Sequence, residues 1–179
     1  MFPKTVKPNK FSYPHVGLLA TTQDRPNLPF NNQIEAVVGT GSENYHLLAR
    51  AMMAGQLFPQ WARLPNPRIQ PGAELIMDAR IFGLSFHLPL RIIVLIESHE
   101  KNPCCGFIYG TLLGHYLSGE ERFLLIWDPE SNLIRYQIQS FAQLQKKWIW
   151  PFSPLIRHLQ QKFLSESCTI ARDLCLAQG

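Results

Sequence analysis

The sequence lacks the long apolar run and the cysteine pairs that mark membrane helices and many metal sites. None of its apolar runs reaches the roughly 18–20 residues that a bilayer-spanning helix needs. Its four cysteines, Cys104, Cys105, Cys168 and Cys175, form no CxxC pair. Because this spacing does not fit zinc ligation, we expect no metal and interpret the cysteines as reduced thiols in a protein core.

Charge is also scarce in this chain. Charged residues make up 17% of it, and the net charge of +4 comes from basic residues that are scattered rather than gathered in a stripe. This distribution argues against a dedicated nucleic-acid-binding protein. The lysines among the first residues are not followed by an apolar core of about 7–15 residues, so they do not form a secretory signal. We therefore expect a cytoplasmic protein, and no motif calls for a cofactor.

The hydrophobic content is that of a globular protein. At 179 residues and 46% hydrophobic composition, the chain can bury the core of one domain, which we predict over residues 1–179. Residues 1–32 are rich in proline and polar residues and are predicted to form an extended N-terminal arm. The predicted core, residues 33–179, starts with a strand within 31–38 and a helix capped by Ser42.

Most of the core has the period-two pattern of strands. Strands are predicted within 73–81, 84–86, 91–97, 105–112, 121–127 and 134–139. The chain then ends in a long amphipathic helix that Ser153 would cap. Consecutive strands with short turns favour an antiparallel meander, and the helix must bury its apolar stripe. The sequence therefore predicts an α+β fold, with a curved antiparallel sheet wrapped around the C-terminal helix and a cavity between them (a helix-grip arrangement).

The segment 105–123 concentrates glycines and titratable residues, and its middle part, 113–122, is predicted to be a loop. His115 and Glu120 could form an acid–base pair there, with the carboxylate orienting the imidazole. The alternative is a loop closed by hydrogen bonds, in which the glutamates bind backbone N–H groups or pair with Arg122. We favour this alternative, because structural networks contain such groups too.

Three aromatic residues could contact a ligand in the cavity. Phe107 and Tyr109 lie on the same side of one strand, and Tyr136 can join them from another strand. Plain core packing explains these aromatics equally well. Glu121 and Arg122 are predicted to contact the ligand from the loop that would close the entrance.

Arg91 opens an apolar strand after a proline. It could reach the concave side of the sheet and bind a carboxylate or phosphate group. Pairing with Glu120 or Glu121 is the favoured alternative.

A short cationic and aromatic segment precedes the last helix. Lys146, Lys147, Trp148 and Trp150 combine positive charge with aromatic rings in a way that suits a membrane surface or an acidic protein partner. The alternative is a connector in which the two tryptophans cover the core.

Several short motifs, in order along almost the whole chain, carry a family resemblance. They are Tyr13-Pro14-His15-Val16-Gly17, Gly39-Thr40-Gly41, Trp61, Gly72, Arg91-Ile92-Ile93, Gly106 to Leu112, Gly114-His115, Gly119 to Phe123, Phe141, and Pro154 with Gln160. With these motifs the chain resembles uncharacterised protein family 0548, a domain of unknown function. The resemblance implies a fold similar to the Bet v 1 and START-type helix-grip domains and implies no activity. The chain departs from the family pattern at Ala142-Gln143-Leu144, where the family has a Ser-Arg-Pro-like run.

Three functional hypotheses follow from the sequence. The favoured one is a non-enzymatic domain that binds a small hydrophobic or amphipathic molecule between sheet and helix. This hypothesis rests on analogy with the fold. The second is an enzyme in the same cavity that uses His115 and Glu120. The third is an interaction or assembly factor that docks to a membrane or a protein through residues 146–152. The sequence leaves the oligomeric state open.

Overall fold

The computed structural model describes residues 10–21 and 28–177 of the chain. In this part, a short 3₁₀ turn Leu18–Ala20 and a 3₁₀ segment Lys147–Phe152 accompany two helices and the strands of one sheet. The elements are β1 (Phe30–Thr40), α1 (Ser42–Met53), β2 (Ala62–Arg63), β3 (Glu74–Ile81), β4 (Leu84–Ser98), β5 (Cys104–Thr111), β6 (Leu117–Asp128), β7 (Leu133–Leu144) and α2 (Ser153–Leu176).

The described strands form one seven-stranded antiparallel sheet in the order β1-β7-β6-β5-β4-β3-β2. From β2 to β7 each strand pairs with the next along the chain, and β1 closes the order against β7. The sheet curls into a half-barrel with α2 against its concave face. The predicted α+β helix-grip fold is confirmed.

Side-chain alternation divides the sheet into two faces. In β5, β6 and β7, the residues Phe107, Phe123 and Ile138 are cross-strand neighbours that point into the concave face and are fully buried there. Their neighbours in sequence point to the convex face, where Ile108 and Phe141 belong to a separate, smaller cluster. Both faces therefore need a cover, since each carries apolar side chains.

The two halves of α2 have different roles. In the C-terminal half, Ser167 and Ala171 are fully buried against the sheet and α1. The Ser167 hydroxyl donates to the Leu57 carbonyl at 2.7 Å and lies 3.2 Å from the Tyr136 hydroxyl, so the helix, the segment after α1 and the sheet are joined at one point. In the N-terminal half, Ile156 and Leu159 meet no such packing and instead line a cavity.

The sequence-based boundaries need corrections. The predicted loop 113–122 is wrong from Leu117 onward, because β6 starts there and pairs with β7 over its whole length. The strands expected separately at 84–86 and 91–97 are one continuous strand, β4. Ser42 and Ser153, the predicted capping residues, are the first residues of α1 and α2. The N-termini of these two helices have no hydrogen bond from a capping side chain.

The described part of the N-terminal arm covers the convex face, so it is more than an extended tail. Phe11 forms an isolated bridge with Leu112, and the Ser12 N–H donates to the Thr111 carbonyl at 3.0 Å. Residues 1–9 and 22–27 of the predicted arm lie outside the described residues, and β1 already starts at Phe30, before the predicted core boundary.

The arm sits directly on a glycine of β5, and this contact generates a prediction. A Cβ on Gly110 would lie 2.1 Å from the Tyr13 hydroxyl oxygen and 2.8 Å from the Phe11 ring. We expect Gly110→Ala to lower the free energy of unfolding by about 1–3 kcal/mol, because the arm must shift. Thermal or urea unfolding measures this change.

Tyr13→Phe provides the matched control, because it removes the oxygen atom that the new methyl group would strike. The cost of Gly110→Ala should therefore be smaller in the Tyr13→Phe background than in the wild type. Additive costs in the double variant would contradict the proposed clash.

Candidate functional site

A cavity of about 490 Å³ lies between the concave face of the sheet and the N-terminal half of α2. Its walls are mostly apolar side chains from β3, β4, α2 and the 3₁₀ segment, such as Met77, Phe86, Ile149 and Leu159. This volume is in the range of sites that bind small organic molecules.

A row of polar residues crosses the apolar floor of this cavity. Asn32 on β1 faces Ser140 on β7, Ser140 faces Glu121 on β6, and Glu121 faces Tyr109 on β5. All four residues line the cavity. The Asn32 amide donates to the Ser140 hydroxyl at 3.4 Å, and the Asn32 side-chain oxygen accepts from the Gln161 amide at 2.6 Å. A few convergent polar groups in an apolar pocket are typical of sites that orient a ligand.

Glu121 is the only carboxylate in this row. Its Oε2 accepts a hydrogen bond from the Tyr109 hydroxyl. Burial raises the pKa of Glu121 to about 7, and the Tyr109 bond opposes this shift only in part. Burial, together with the neighbouring carboxylate, also raises the pKa of Tyr109 well above its usual value. Near neutral pH the cavity therefore contains a carboxyl group that exchanges its proton readily.

His115 lies in the turn between β5 and β6 and also lines the cavity. Its Nδ1 lies 2.9 Å from the Leu117 nitrogen, from which a ring protonated on Nε2 accepts, and 3.0 Å from the Leu117 carbonyl oxygen, to which a ring protonated on Nδ1 donates. Burial lowers the pKa of His115 to about 4, so the ring is neutral at physiological pH.

Glu120 is held by the arm. Its Oε2 accepts from the Leu19 N–H at 3.0 Å, and its Oε1 accepts from the Tyr13 hydroxyl at 3.0 Å and from the Gly17 N–H. No hydrogen bond joins Glu120 to His115, although both are described residues. The role of these two residues as an acid–base pair stays a prediction, and the geometry resembles the structural alternative, in which the glutamate binds backbone N–H groups.

The two arginines proposed as ligand contacts lie on the convex face. Arg91 on β4 forms an ion pair with Glu74, the residue opposite it on β3. The Arg91 guanidinium lies 5.2 Å from the centre of the Phe11 ring. Arg122 donates to the Leu19 carbonyl at 3.4 Å. Neither lines the cavity. Alternation along β4 and β6 places both on the side that the arm covers.

The proposed aromatic contacts separate into two groups. Tyr109 lines the cavity, whereas Phe107 and Tyr136 are fully buried in the packed core and do not line it. Phe107 stacks on Phe123 with ring centres 5.2 Å apart. For Phe107 and Tyr136, core packing is therefore the role that the structure supports.

The cationic and aromatic segment lies at the rim of the cavity. Trp148 lines it and is 63% exposed, whereas Trp150 is 73% exposed and points away. Lys146 and Lys147 are exposed beside them. Across the opening, Phe82 in the β3–β4 turn is 82% exposed. None of the described helices has both the length and the apolarity needed to cross a bilayer.

A family model matches residues 12–170, which include the cavity, its polar row and the described arm. It is the Domain of unknown function DUF1990. The chain belongs to this family.

Curated relatives agree with that assignment. The chain is 28% identical to a UPF0548 protein of Deinococcus radiodurans over 138 residues, which cover 70% of this chain and 68% of the relative. It is 30% identical to a UPF0548 protein of Arabidopsis thaliana over 117 residues, which cover 63% of this chain and 57% of the relative. The resemblance to family 0548 is confirmed, and these names state no activity.

Solved structures confirm the fold alone. The di-domain ARO/CYC StfQ from the steffimycin biosynthetic pathway superposes with a TM-score of 0.55 at 14% identity, over 83% of this chain and 51% of that one. TTHA0849 from Thermus thermophilus superposes with a TM-score of 0.54 at 12% identity, over 83% of this chain and 99% of that one. A third match, Ara h 8.0201, has a TM-score of 0.50 at 11% identity, over 83% of this chain and 98% of that one.

Sequence reasoning missed Asn32, Ser140 and Gln160 as cavity residues. A signal was available for two of them. Extending the inward positions of β7 from Ile138 by two residues reaches Ser140, and extending those of β1 back from Ile34 reaches Asn32. Polar residues at inward strand positions are unusual in a filled core and indicate a site.

The enclosed carboxyl group gives a testable pH dependence. Glu121 has an ordinary pKa of 4.5 when unfolded and about 7 in the folded protein. Between these values the folded state keeps a proton that the unfolded chain loses, so this residue's contribution to stability falls as pH rises. We expect Glu121→Gln to remove that loss. The free energy of unfolding of the variant, relative to that of the wild type, should therefore rise by about 2 kcal/mol between pH 5 and pH 8.5.

Urea unfolding at several pH values measures this difference, with exposed Glu100→Gln as the control for loss of a negative charge. Parallel curves of unfolding free energy against pH for Glu121→Gln and wild type would contradict the raised pKa.

His115 has the opposite effect on stability. Its pKa is 6.5 in the unfolded chain and about 4 in the folded protein, so its contribution to the free energy of unfolding increases as pH rises from 4 to 6.5.

Proposed function

We propose that this protein binds a small hydrophobic or amphipathic molecule in the cavity between the sheet and the N-terminal half of α2. The observation that carries the proposal is an apolar cavity of about 490 Å³ whose floor holds an enclosed polar row. Empty apolar space of this size costs stability through lost packing, so a fold that keeps it has a use for it. Solved structures with a similar fold are compatible with this role.

The polar row supports an amphipathic rather than a purely apolar ligand. Glu121 and Ser140 cross the floor where an apolar residue would pack more favourably. Burying a carboxyl group without a binding role is costly, and the raised pKa of Glu121 reflects that cost. A ligand with one polar end would satisfy the row and place its apolar part along β3, β4 and α2.

Binding can be tested with the fluorescent probe N-phenyl-1-naphthylamine, which brightens in apolar sites. Ala79 lines the cavity and is buried, so Ala79→Phe should fill part of the space and weaken probe binding by at least about tenfold. Leu159→Phe serves as a second filling variant from the opposite wall.

The matched control is Val37→Phe, which enlarges an apolar side chain that is 46% exposed and outside the cavity. Circular dichroism checks that each variant folds. Probe binding to a folded filling variant that equals binding to Val37→Phe would overturn the cavity as the site. Native mass spectrometry of protein purified under gentle conditions, followed by solvent extraction, would identify the chemical class of a co-purified ligand.

A second candidate function, peripheral docking on an anionic membrane, is favoured by the rim. Exposed apolar side chains meet there from both sides of the opening, from Phe82 on one side and from Trp148 and Phe152 on the other. The sequence from Leu133 to Ser165 contains no aspartate or glutamate, so every charge on this segment of the chain is positive. Exposed aromatics next to lysines suit the interface of a bilayer with negatively charged lipids.

Sedimentation with vesicles tests this second candidate. We expect the protein to pellet with phosphatidylserine-containing vesicles at low salt and to remain in solution with pure phosphatidylcholine vesicles. The double variant Trp148→Ser, Trp150→Ser should lose most of the binding, because single anchoring signals are weak. Val37→Ser, an exposed apolar position elsewhere, is the control. Equal pelleting of both variants would contradict docking through the rim.

A further inference from the structure

The cavity contains hydrogen-bond acceptors and negative charge but no cation. Among the described residues that line it, none is lysine or arginine, and the carboxyl group that faces it is that of Glu121, since the arm binds the carboxylate of Glu120 on the opposite face of the sheet. His115, the remaining basic group, is neutral. The protein as a whole carries a net charge of +4, so the absence of cations is specific to this space.

The carboxyl group of Glu121 has one oxygen free for a ligand. Oε2 accepts from the Tyr109 hydroxyl, while Oε1 has no hydrogen-bond partner among the described residues. The hydrogen of the Tyr109 hydroxyl is used in that contact. The pair of side chains therefore offers oxygen lone pairs to the cavity, and no N–H or O–H from Tyr109.

The neighbouring amides point to the same conclusion. The Asn32 amide donates to Ser140, and the Gln161 amide donates to Asn32, so both direct hydrogens to protein oxygens. Gln160 lines the cavity from α2, and its side-chain oxygen is enclosed without a hydrogen-bond partner among the described residues. None of these three amides contributes a positive charge beside Glu121.

Among the residues that the structure describes, no element packed against Glu121 places an opposite charge beside it. Tyr109 on β5 and Tyr136 on β7 are the titratable groups that interact with it. The α2 residues over the cavity, such as Ile156, Leu159 and Gln160, carry no charge. An anionic ligand would therefore meet the Glu121 carboxyl group in a mostly apolar cavity, with no cation among the described lining residues to offset the repulsion.

We propose that the cavity selects amphiphiles whose polar head donates a hydrogen bond and carries no negative charge, such as a long-chain alcohol or a protonated amine, with Glu121 as the accepting residue. This selection rests on the proposed function of the cavity. The head group donates to Oε1 of Glu121, and the apolar chain lies between α2 and the strands β3 and β4. Fatty acid carboxylates are excluded.

The test compares three ligands with the same chain, namely decan-1-ol, decylamine and decanoate, as competitors of N-phenyl-1-naphthylamine at pH 8. We expect decan-1-ol and decylamine to displace the probe at concentrations at least about tenfold lower than decanoate. In Glu121→Gln the amide adds donors and removes the charge, so decanoate should approach decan-1-ol to within about threefold, and decylamine should lose its advantage.

Glu100→Gln is the matched control variant, because it makes the same change at an exposed carboxyl group outside the cavity and should keep the preference for decan-1-ol over decanoate. Decanoate that competes as well as decan-1-ol on the wild type would overturn the selection while leaving the cavity as a binding site. Unchanged preference in Glu121→Gln would also overturn it. If the wild type binds neither the probe nor any of the three amphiphiles, the proposed function fails and the selection fails with it.

Discussion

Side chains alternate along β6 between the two faces of the sheet, and this alternation determines where the arm and the cavity meet their polar partners. Glu120 and Glu121 are neighbours in sequence, and the two-residue period of a strand sends them to opposite faces of the sheet. Glu120 accepts hydrogen bonds from the arm, whereas Glu121 faces the cavity. A slip of one residue in the pairing of β6 would exchange these environments and leave each carboxyl group with unsuitable partners.

The glycines around this pair have a steric purpose. Gly110 faces Glu120 across the β5–β6 pair and leaves room for Tyr13 to reach the carboxylate. Gly119 lies so close to the Phe141 carbonyl that a Cβ would fall 1.9 Å from it. Of the four glycines between 105 and 123, only Gly114 has a positive φ, at 101°, in the turn that carries His115. Close approach of chain segments, more than unusual backbone conformation, explains the glycine content of this motif.

The sequence predicted the fold well because periodicity is a local signal. The order of strands, the C-terminal helix and the cavity between them follow from alternation and from one apolar stripe. The site was harder to predict from the sequence, because it depends on the face of the sheet to which each side chain points and on where β6 begins. Glycine and glutamate disfavour strands on average, which suggested a loop at 117–122, but the arm and β7 supply partners that outweigh this preference. The pairing of Arg91 with Glu74 likewise depends on cross-strand register.

The two halves of α2 have different contacts with the sheet. Its C-terminal half is fixed by Ser167, whose hydroxyl contacts both Tyr136 and the Leu57 carbonyl, so this end of the helix stays close to the sheet. Its N-terminal half follows the exposed 3₁₀ segment and lines the cavity, and its polar contact with the sheet is the bond from the Gln161 amide to Asn32 on β1 at 2.6 Å. One helix thus completes the packed core with its C-terminal half and forms a wall of the cavity with its N-terminal half.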